Sequence, residues 1–205
     1  MKGWFITLEG PDGAGKSLQA ERLAAALGAR GRTVRLTREP GGTSLGERIR
    51  RMLLTPGEPP ITPRADALLF SAARAQHVAD VIRPALDSGA TVICARYADS
   101  TLAYQGYGSG LPLPELRVVT DLATGGLRPD RTILLDIPPE VGLARKTDDG
   151  ITRFEASFDV EFHRRVREGF LALAAAEPDR WVVVDATVPA DDVAARVLEA
   201  ALAIL

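Results

Sequence analysis

The feature that most constrains this chain is a glycine-rich loop set between an apolar run and a helical stretch. Gly10–Ser17 reads GPDGAGKS and fits the pattern G-x-x-x-x-G-K-[ST]. It follows the apolar run Trp4–Glu9 and precedes the helical stretch Lys16–Arg30, which is the context the pattern requires. Its glycines let backbone N–H groups turn toward phosphate oxygens, and the positive end of the helix adds to their attraction. The loop therefore predicts a nucleoside triphosphate site.

Short apolar runs and helical stretches alternate along the whole chain of 205 residues. The runs that read as buried strands are Trp4–Glu9, Val34–Thr37, Thr91–Ala95, Thr132–Asp136 and Trp181–Asp185. The helical stretches are Lys16–Arg30, Arg64–Ser88, Ala156–Glu177 and Ala190–Leu205. This alternation predicts one α/β domain over residues 1–205, with a parallel sheet covered by helices on both faces. Ligands of such sheets bind at the carboxyl ends of the strands.

Composition excludes several classes of protein. The net charge of −2 implies no broad attraction to nucleic acid or to a membrane, and no apolar run approaches the roughly 18 residues of a membrane span. The N-terminal apolar run is too short for a signal peptide, and a single cysteine fits a reducing compartment, so we expect a cytoplasmic protein. The chain contains no asparagine, which removes the Asn-Lys-x-Asp guanine motif of GTPases.

The remaining classes of phosphate-loop protein differ in the charged residues that they need. Asp136 and Asp185 follow apolar runs, where a motor or transport ATPase places an acid, but a turn explains each of them more simply. A small phosphotransferase instead needs positive charge from several segments, because it holds two anionic substrates together. Six arginines come from different segments of the chain, as this convergence of charge requires. They are Arg38, Arg50, Arg74, Arg96, Arg145 and Arg153.

Several stretches in a fixed order give a more specific indication. They include Leu8–Gln19 (LEGPDGAGKSLQ), Thr37–Thr43 (TREPGGT), Val92–Gly106 (VICARYADSTLAYQG) and Leu134–Val141 (LLDIPPEV). In these stretches the chain resembles the bacterial thymidylate kinases. The resemblance implies a P-loop kinase three-layer sandwich with a five-stranded parallel sheet and a short lid at about residues 145–156. It also implies transfer of the γ-phosphoryl group of ATP to dTMP, giving dTDP and ADP, with Mg²⁺ as cofactor and a homodimer as the assembly.

The resemblance assigns roles on the side of the phosphate donor. The residues expected to bind ATP are Gly10, Asp12, Gly13, Ala14, Gly15, Lys16, Ser17, Leu18 and Arg145. Ser17 and Glu9 are expected nearest the metal. Asp12 in the loop is typical of the bacterial type, in which the lid supplies a catalytic arginine, and Arg153 is the candidate. Thr152 stands where the family has an aspartate beside that arginine.

On the acceptor side, the resemblance implies that Phe70 stacks on the thymine ring and that Arg74 binds a thymine carbonyl. Tyr104 is expected to crowd the 2′ position of the sugar. The full set expected to bind dTMP is Asp12, Arg38, Pro40, Arg50, Phe70, Arg74, Arg96, Thr101, Tyr104 and Gln105. The residues expected to act in catalysis are Lys16, Asp12, Arg96 and Arg153.

One position departs from the family's pattern. An aspartate that helps to hold hydrated Mg²⁺ is expected immediately before Arg96, and Ala95 occupies that place. Two alternatives therefore stay open beside an active thymidylate kinase. One is a nucleotide-binding variant with weakened catalysis, and the other is a kinase for a different deoxynucleoside monophosphate.

Overall fold

A five-stranded parallel sheet forms the centre of the computed structural model, which describes residues 3–56, 60–145, 152–154 and 158–205. Its strands are β1 (Trp4–Glu9), β2 (Val34–Arg38), β3 (Thr91–Ala95), β4 (Arg131–Asp136) and β5 (Trp181–Asp185). Their order across the sheet is β2-β3-β1-β4-β5, and every neighbouring pair is parallel. The chain thus builds β2 and β3 on one side of β1, then β4 and β5 on the other. Such sheets bind ligands where this change of side occurs.

The predicted strands are confirmed, with bounds that differ by at most one residue. β3 is buried along its whole length and β1 is buried from Phe5 onward, because helices cover both faces of these inner strands. The edge strands are more open, and Val183 of β5 is 50% exposed. Runs without polar alternation therefore gave a sound prediction of a parallel sheet.

Helices connect the strands and cover the sheet. They are α1 (Lys16–Gly28), α2 (Ser44–Leu54), α3 (Pro63–His77), α4 (Arg83–Asp87), α5 (Ala98–Thr101), α6 (Leu113–Thr124), α7 (Pro139–Ala144), α8 (Val160–Ala176) and α9 (Ala190–Leu202). Wide π-helical turns follow α3 at Val78–Ile82 and α5 at Leu102–Gly108. Among the described residues, no helix combines the length and the apolar character needed to cross a bilayer.

The long helix predicted over Arg64–Ser88 is not a single α-helix. The regular hydrogen bonding of α3 ends at His77, and a π-helical turn separates it from α4. Pro84 lies in the first turn of α4 and has no amide hydrogen to donate, so the α-helical pattern cannot run through that position. The wider turn keeps the helix direction while it accommodates this gap.

Other helix ends also differ from the prediction. α1 ends at Gly28 rather than Arg30, and α9 ends at Leu202 rather than at the last residue. α8 begins at Val160, whereas the predicted start at Ala156 lies outside the described residues. Helices α2, α5, α6 and α7 were not predicted at all. The side chain of Thr43 caps α2 by accepting from the amide of Gly46, which is a local signal the sequence does contain.

Two main apolar clusters pack on opposite faces of the sheet. On one face, Leu8 packs in a cluster with Leu27 of α1 and Val197 of α9. On the other, Leu134 of β4 packs in a cluster with Phe170 of α8. Successive residues of a strand point to opposite faces, so both clusters draw on the same strands. The two clusters confirm the three-layer arrangement. Because β1 and β3 pair in parallel, their carboxyl ends lie beside each other.

Candidate functional site

The phosphate loop runs from the end of β1 to the start of α1, as its sequence predicts. Gly10, Gly13 and Gly15 all adopt positive φ angles, of 141°, 75° and 85°. A Cβ atom on Gly13 would lie 1.8 Å from the carbonyl oxygen of Gly142 in α7. Only glycine therefore lets the loop approach the backbone of α7 this closely. The Nζ atom of Lys16 donates to the carbonyl oxygens of Gly10, at 2.9 Å, and Pro11, at 2.6 Å. The ammonium group therefore lies over the loop that is predicted to hold phosphates.

Beside this loop lies a cavity of about 360 Å³. It joins the loop to the end of β3, to α2 and α3, and to the segment around residue 153. The predicted site residues that line it are Asp12, Gly13, Gly15, Lys16, Ser17, Leu18, Arg38, Pro40, Arg50, Phe70, Arg96, Thr101, Tyr104, Gln105 and Arg145. Predicted donor and acceptor residues thus share one connected space.

Arg96 has an unusual backbone and a dense set of partners. Its φ angle is 68°, and among the described residues it is the only residue other than glycine with a positive φ angle. Its guanidinium donates to Asp12 Oδ1 at 2.5 Å and to the Tyr104 hydroxyl at 2.9 Å. Burial opposes the charge, but Tyr104, Asp12 and Glu9 outweigh burial and raise the pKa of Arg96. A fixed positive charge therefore faces the cavity from the end of β3.

Asp12 and Tyr104 complete this part of the wall. The Tyr104 hydroxyl donates to Asp12 Oδ2 at 2.7 Å, and burial raises the pKa of the phenol well above its ordinary value. Tyr104 therefore keeps its proton and links the phosphate loop to the π-helical turn after α5. This contact brings together residues that lie 92 positions apart in the chain.

Three more arginines reach the cavity from different elements. Arg38 lies at the end of β2, Arg50 on α2 and Arg145 after α7. Burial lowers the pKa of Arg50, the neighbouring Arg38 lowers it further, and the charge of Glu47 offsets only part of this. Arg145 donates to the carbonyl oxygen of Ala186 at 3.0 Å. The convergence of positive charge that the sequence predicts is present for these arginines and for Arg96.

Aromatic rings form another part of the cavity wall. Phe70 of α3 lines it, and the ring centroids of Phe70 and Phe154 are 6.1 Å apart. Phe154 also meets Tyr104 edge to face at 5.6 Å. Gln105 is 1% exposed, lines the cavity, and its side-chain nitrogen has no hydrogen-bond partner. An apolar slot with a buried, unpaired donor suits a flat ring that carries an oxygen acceptor.

Arg74 was expected to bind the thymine base, but its side chain lies behind the cavity wall. It is 1% exposed and does not line the cavity. It donates to Glu39 at 2.8 Å, to the Thr101 hydroxyl at 3.1 Å and to the carbonyl oxygen of Tyr97 at 2.9 Å. In this arrangement Arg74 orients Thr101, which does line the cavity.

Arg153 is also directed away from the cavity. It is 6% exposed and donates to both carboxylate oxygens of Asp66, at 2.6 and 2.8 Å, and to the carbonyl oxygen of Leu53 at 2.9 Å. Its neighbours Thr152 and Phe154 do line the cavity. The predicted lid otherwise falls largely on residues 146–151 and 155–157, which lie outside the described residues.

Glu9 is enclosed at the end of β1. It is 0% exposed and does not line the cavity. It accepts hydrogen bonds from the amide of Tyr97 at 2.7 Å and from the Ser100 hydroxyl at 2.6 Å. Burial, and next the charge of Asp99, raise the pKa of Glu9 to about 7. Within the described ranges no cluster of three or more His, Cys, Asp or Glu side chains is placed to hold a metal ion.

Oxygen ligands for a cation are therefore sparse in this cavity. Ser17 offers a hydroxyl, and the carboxylate of Asp12 lines the same space. Glu39 also lines it, but its two oxygens are already bonded to Arg74 and His77. Ala95 lines the cavity with a methyl group. A hard cation such as Mg²⁺ usually binds one or two carboxylates together with substrate phosphates and water. Ser17 and Asp12 fit that pattern, whereas Glu9 does not turn an oxygen toward the cavity.

Several cavity residues were not predicted from the sequence. They are Glu39, Leu54, Ser100, Thr152 and Phe154, besides Ala95, whose place at the strand end was noted. Glu39 and Ser100 lie inside the stretches TREPGGT and VICARYADSTLAYQG, so their surroundings were a usable signal. Phe154 directly follows Arg153, whose guanidinium carbon lies 4.9 Å from the centre of the Phe154 ring. The ring lines the cavity and the arginine lies behind it, which only the fold decides.

Comparison with known proteins agrees with this geometry. A model of the thymidylate kinase family matches residues 8–197. The thymidylate kinase of Deinococcus radiodurans is 55% identical over 196 residues, which cover 96% of this chain and 95% of that protein. That of Thermomicrobium roseum is 56% identical over 193 residues, covering 93% and 90%. A crystal structure of thymidylate kinase from Ehrlichia chaffeensis superposes with a TM-score of 0.75 at 34% identity, covering 97% and 98% of the two chains.

Proposed function

The chain belongs to the thymidylate kinase family, and we propose that it transfers the γ-phosphoryl group of ATP to dTMP, giving dTDP and ADP. The observation that carries this proposal is the single cavity that holds both the phosphate loop and the aromatic slot, with Arg96 beside their junction. Two substrates bound in one space can react directly, because binding them in contact replaces a bimolecular encounter. A protein that bound only one nucleotide would not need the second part of this cavity, whose aromatic rings suit a base.

On the donor side, the proposed roles follow from the loop. Backbone N–H groups of Gly13 to Ser17 and the N-terminus of α1 would hold the triphosphate, and Lys16 would exchange its two carbonyl partners for phosphate oxygens. Arg145 and the adjoining Ala186 mark the direction in which the adenine would extend. The loop amides, Lys16 and Arg145 all attract negative charge, as binding of a triphosphate requires.

On the acceptor side, the base of dTMP would lie against the ring of Phe70, beside Phe154. The unpaired side-chain nitrogen of Gln105 would donate to a carbonyl oxygen of the base, and Thr101 would reach the base edge. Arg38, Arg50 and Arg96 would hold the phosphate, and Asp12 would orient Arg96. Arg74 supports Thr101 from behind, so we propose an indirect role for it in base recognition.

Phosphoryl transfer spreads negative charge over the oxygens of the transferring group. Fixed cations therefore lower its barrier, and Lys16 and Arg96 are the ones best placed to do so. For Arg153 to act on the same group, it would have to leave Asp66 and Leu53. The catalytic role expected for Arg153 thus includes a conformational change, and an Arg153→Met variant with reduced kcat and an unchanged dTMP affinity would support it.

A divalent cation completes the proposal. Bound Mg²⁺ would neutralise phosphate charge during the transfer, and Ser17 with Asp12 would hold it together with phosphate oxygens and water. Because Glu9 is enclosed, it is left out of this set.

We also propose that the protein is a homodimer that associates through α2, α3 and α6. α3 packs against both α2 and α6, and together they expose large apolar side chains. These are Met52 (54% exposed), Leu68 (59%), Val118 (70%) and Leu122 (83%). A second copy of the chain would bury this face. Sedimentation of the wild type and of a Leu122→Glu variant tests it, and a wild-type monomer at micromolar concentration refutes it.

A coupled ADP-release assay tests the proposed reaction. With Mg-ATP as donor, dTMP should be turned over with the highest kcat/KM among dTMP, dUMP, dCMP and AMP. Binding of both nucleotides without turnover of dTMP would contradict the proposal and favour the weakened variant. A preference for dUMP or dCMP would favour a kinase for another deoxynucleotide, although the relatives above support the thymidylate preference.

A further inference from the structure

We propose that Glu9 is a positioning residue, which holds the turn after β3 so that Arg96 points into the cavity. This inference rests on the proposed function, because it assigns Arg96 to the phosphate of the acceptor. It differs from the sequence expectation that Glu9 lies nearest a metal ion. Three observations carry it: the backbone of the turn, the hydrogen bonds of the two carboxylate oxygens, and the enclosure of Glu9.

The turn needs support because Arg96 adopts a left-handed backbone conformation. Its amide still pairs with the carbonyl oxygen of Leu8 at 2.9 Å, as a strand residue would, and the chain then reverses into α5. A φ angle of 68° is unfavourable for a side chain of this size. Such a conformation persists only where surrounding contacts determine it.

One oxygen of Glu9 supplies such a contact. Oε1 accepts from the amide of Tyr97, the residue after Arg96, at 2.7 Å. Tyr97 is 0% exposed, so without Glu9 its amide would be buried with no acceptor. A buried unpaired amide is costly, and the turn would relax to reach another partner. Glu9 therefore stabilises the backbone immediately after Arg96.

The other oxygen reaches the side chain of Arg96 through Ser100. Oε2 accepts from the Ser100 hydroxyl at 2.6 Å, and that hydroxyl accepts from Arg96 Nη1 at 3.2 Å. Arg96 Nη1 also donates to the carbonyl oxygen of Gly10, the residue that follows Glu9, at 3.2 Å. The backbone and the guanidinium of Arg96 are thus both tied to the end of β1.

The enclosure of Glu9 argues against direct contact with a ligand. Glu9 is 0% exposed, and each of its oxygens already accepts a short hydrogen bond. Both oxygens of Asp12 also accept hydrogen bonds, but Asp12 and Ser17 line the cavity, where a cation can reach them, and Glu9 does not. A cation bound to Glu9 would displace Tyr97 or Ser100 and release the turn. Holding Arg96 and binding a metal are therefore competing uses of this one carboxylate.

The test compares Glu9→Gln with Glu9→Ala. The amide oxygen of glutamine accepts from Tyr97 and its NH₂ group donates to Ser100, so both links remain. We expect Glu9→Gln to keep the KM for dTMP and the Mg²⁺ concentration for half-maximal rate within about threefold of the wild type, whereas Glu9→Ala should raise the KM about tenfold or more. Ser100→Ala, which breaks only the side-chain link, should raise it by about threefold.

Binding of dTMP measured by calorimetry in EDTA separates positioning from metal binding. Positioning predicts that Glu9→Ala weakens dTMP binding without any metal present, and that Glu9→Gln does not. Equal losses of activity in both variants, both relieved by excess Mg²⁺, would instead make Glu9 a metal ligand and overturn the inference.

Hydrogen exchange keeps the inference testable if Glu9→Ala does not fold or if the proposed function fails. The amide of Tyr97 should exchange at the wild-type rate in Glu9→Gln, and faster in Glu9→Leu, which fills the same space without an acceptor. Fast exchange in Glu9→Gln, or unchanged exchange in Glu9→Leu, would contradict the positioning role. A wild type that neither binds nor phosphorylates dTMP would refute the proposed function, while these exchange rates would still decide the role of Glu9.

Discussion

Arg96 and Arg153 were both expected to act in catalysis, and the structure gives them opposite settings. Each arginine is paired with an aspartate from a distant part of the chain, Arg96 with Asp12 and Arg153 with Asp66. The first pair lines the cavity, while the second is buried between α2 and α3. An arginine paired beside a cavity is held ready for an anion, whereas one paired inside the protein stabilises the fold. The surroundings of an arginine, more than its motif, therefore decide what it does in a given state.

The largest expected effect is on the pair that faces the cavity. Replacing Arg96 by alanine removes the fixed charge between the two halves of the cavity, so kcat/KM for dTMP should fall by about 10³-fold. Steady-state kinetics at saturating ATP measure this. Arg30→Ala is the matched control, because Arg30 is exposed and donates to the carbonyl oxygen of Ala26 in the adjoining α1, away from the cavity. A loss for Arg96→Ala no greater than for Arg30→Ala would remove Arg96 from the mechanism.

The buried pair should matter first for stability. Asp66→Ala leaves the Arg153 guanidinium buried without its carboxylate, which should lower the free energy of unfolding by about 3–5 kcal/mol. Urea denaturation measures the change. The double variant Asp66→Leu/Arg153→Met removes both charges and should recover much of that loss. If Asp66→Ala unfolds at the wild-type urea concentration, the pair does not hold the segment around Arg153 and the contrast with Arg96 fails.

An intermediate effect is expected at the residue before Arg96. Ala95 lines the cavity and lacks the carboxylate that the resemblance leads one to expect there. Ala95→Asp should lower the Mg²⁺ concentration for half-maximal rate by about tenfold, because carboxylates close to a metal change its affinity by that order. Ala95→Asn keeps the size without the charge and should give a smaller gain. Equal rates and equal Mg²⁺ dependence in the wild type and the Ala95→Asp variant would mean that the missing carboxylate does not matter.

A further prediction concerns the pH dependence of folding. The pKa of Glu9 is raised from about 4.5 to about 7, so the folded state favours the protonated acid. The stability that Glu9 contributes is therefore fully present below its unfolded pKa and is lost as the pH rises through about 7. Compared with Glu9→Gln, the wild type should lose stability between about pH 5 and about pH 8. Parallel urea curves for the two proteins at these pH values would contradict the raised pKa.

Much of the fold follows from local sequence. The runs that became β1 to β5 are apolar because both faces of the inner strands are covered, and that pattern is readable without a structure. The phosphate loop was equally readable, since its glycines and Lys16 act through backbone geometry within a few residues. The π-helical turn before Pro84 was not predicted, because proline marks a break in hydrogen bonding without saying whether the helix stops or widens.

The residues proposed to bind the acceptor were predicted as a set, but only part of their arrangement could be predicted. Phe70, Thr101, Tyr104 and Gln105 line the cavity as expected. Arg74 lies behind them, because Glu39 and two further acceptors bind it inside the protein. No spacing along the chain encodes that choice, since these partners come from separate elements.

The class of this protein, its parallel sheet, the position of its phosphate loop and its family could all be predicted from the sequence. Those properties depend on residue types at short spacings and on stretches kept in a fixed order. Which charged side chains face the cavity and which are enclosed depends on contacts that form only in the folded chain. Glu9, Arg74 and Arg153 are enclosed by groups up to 100 residues away in the chain, and burial leaves their charges to be satisfied by those partners. Arg96 differs because the end of β1 holds its turn open to the cavity.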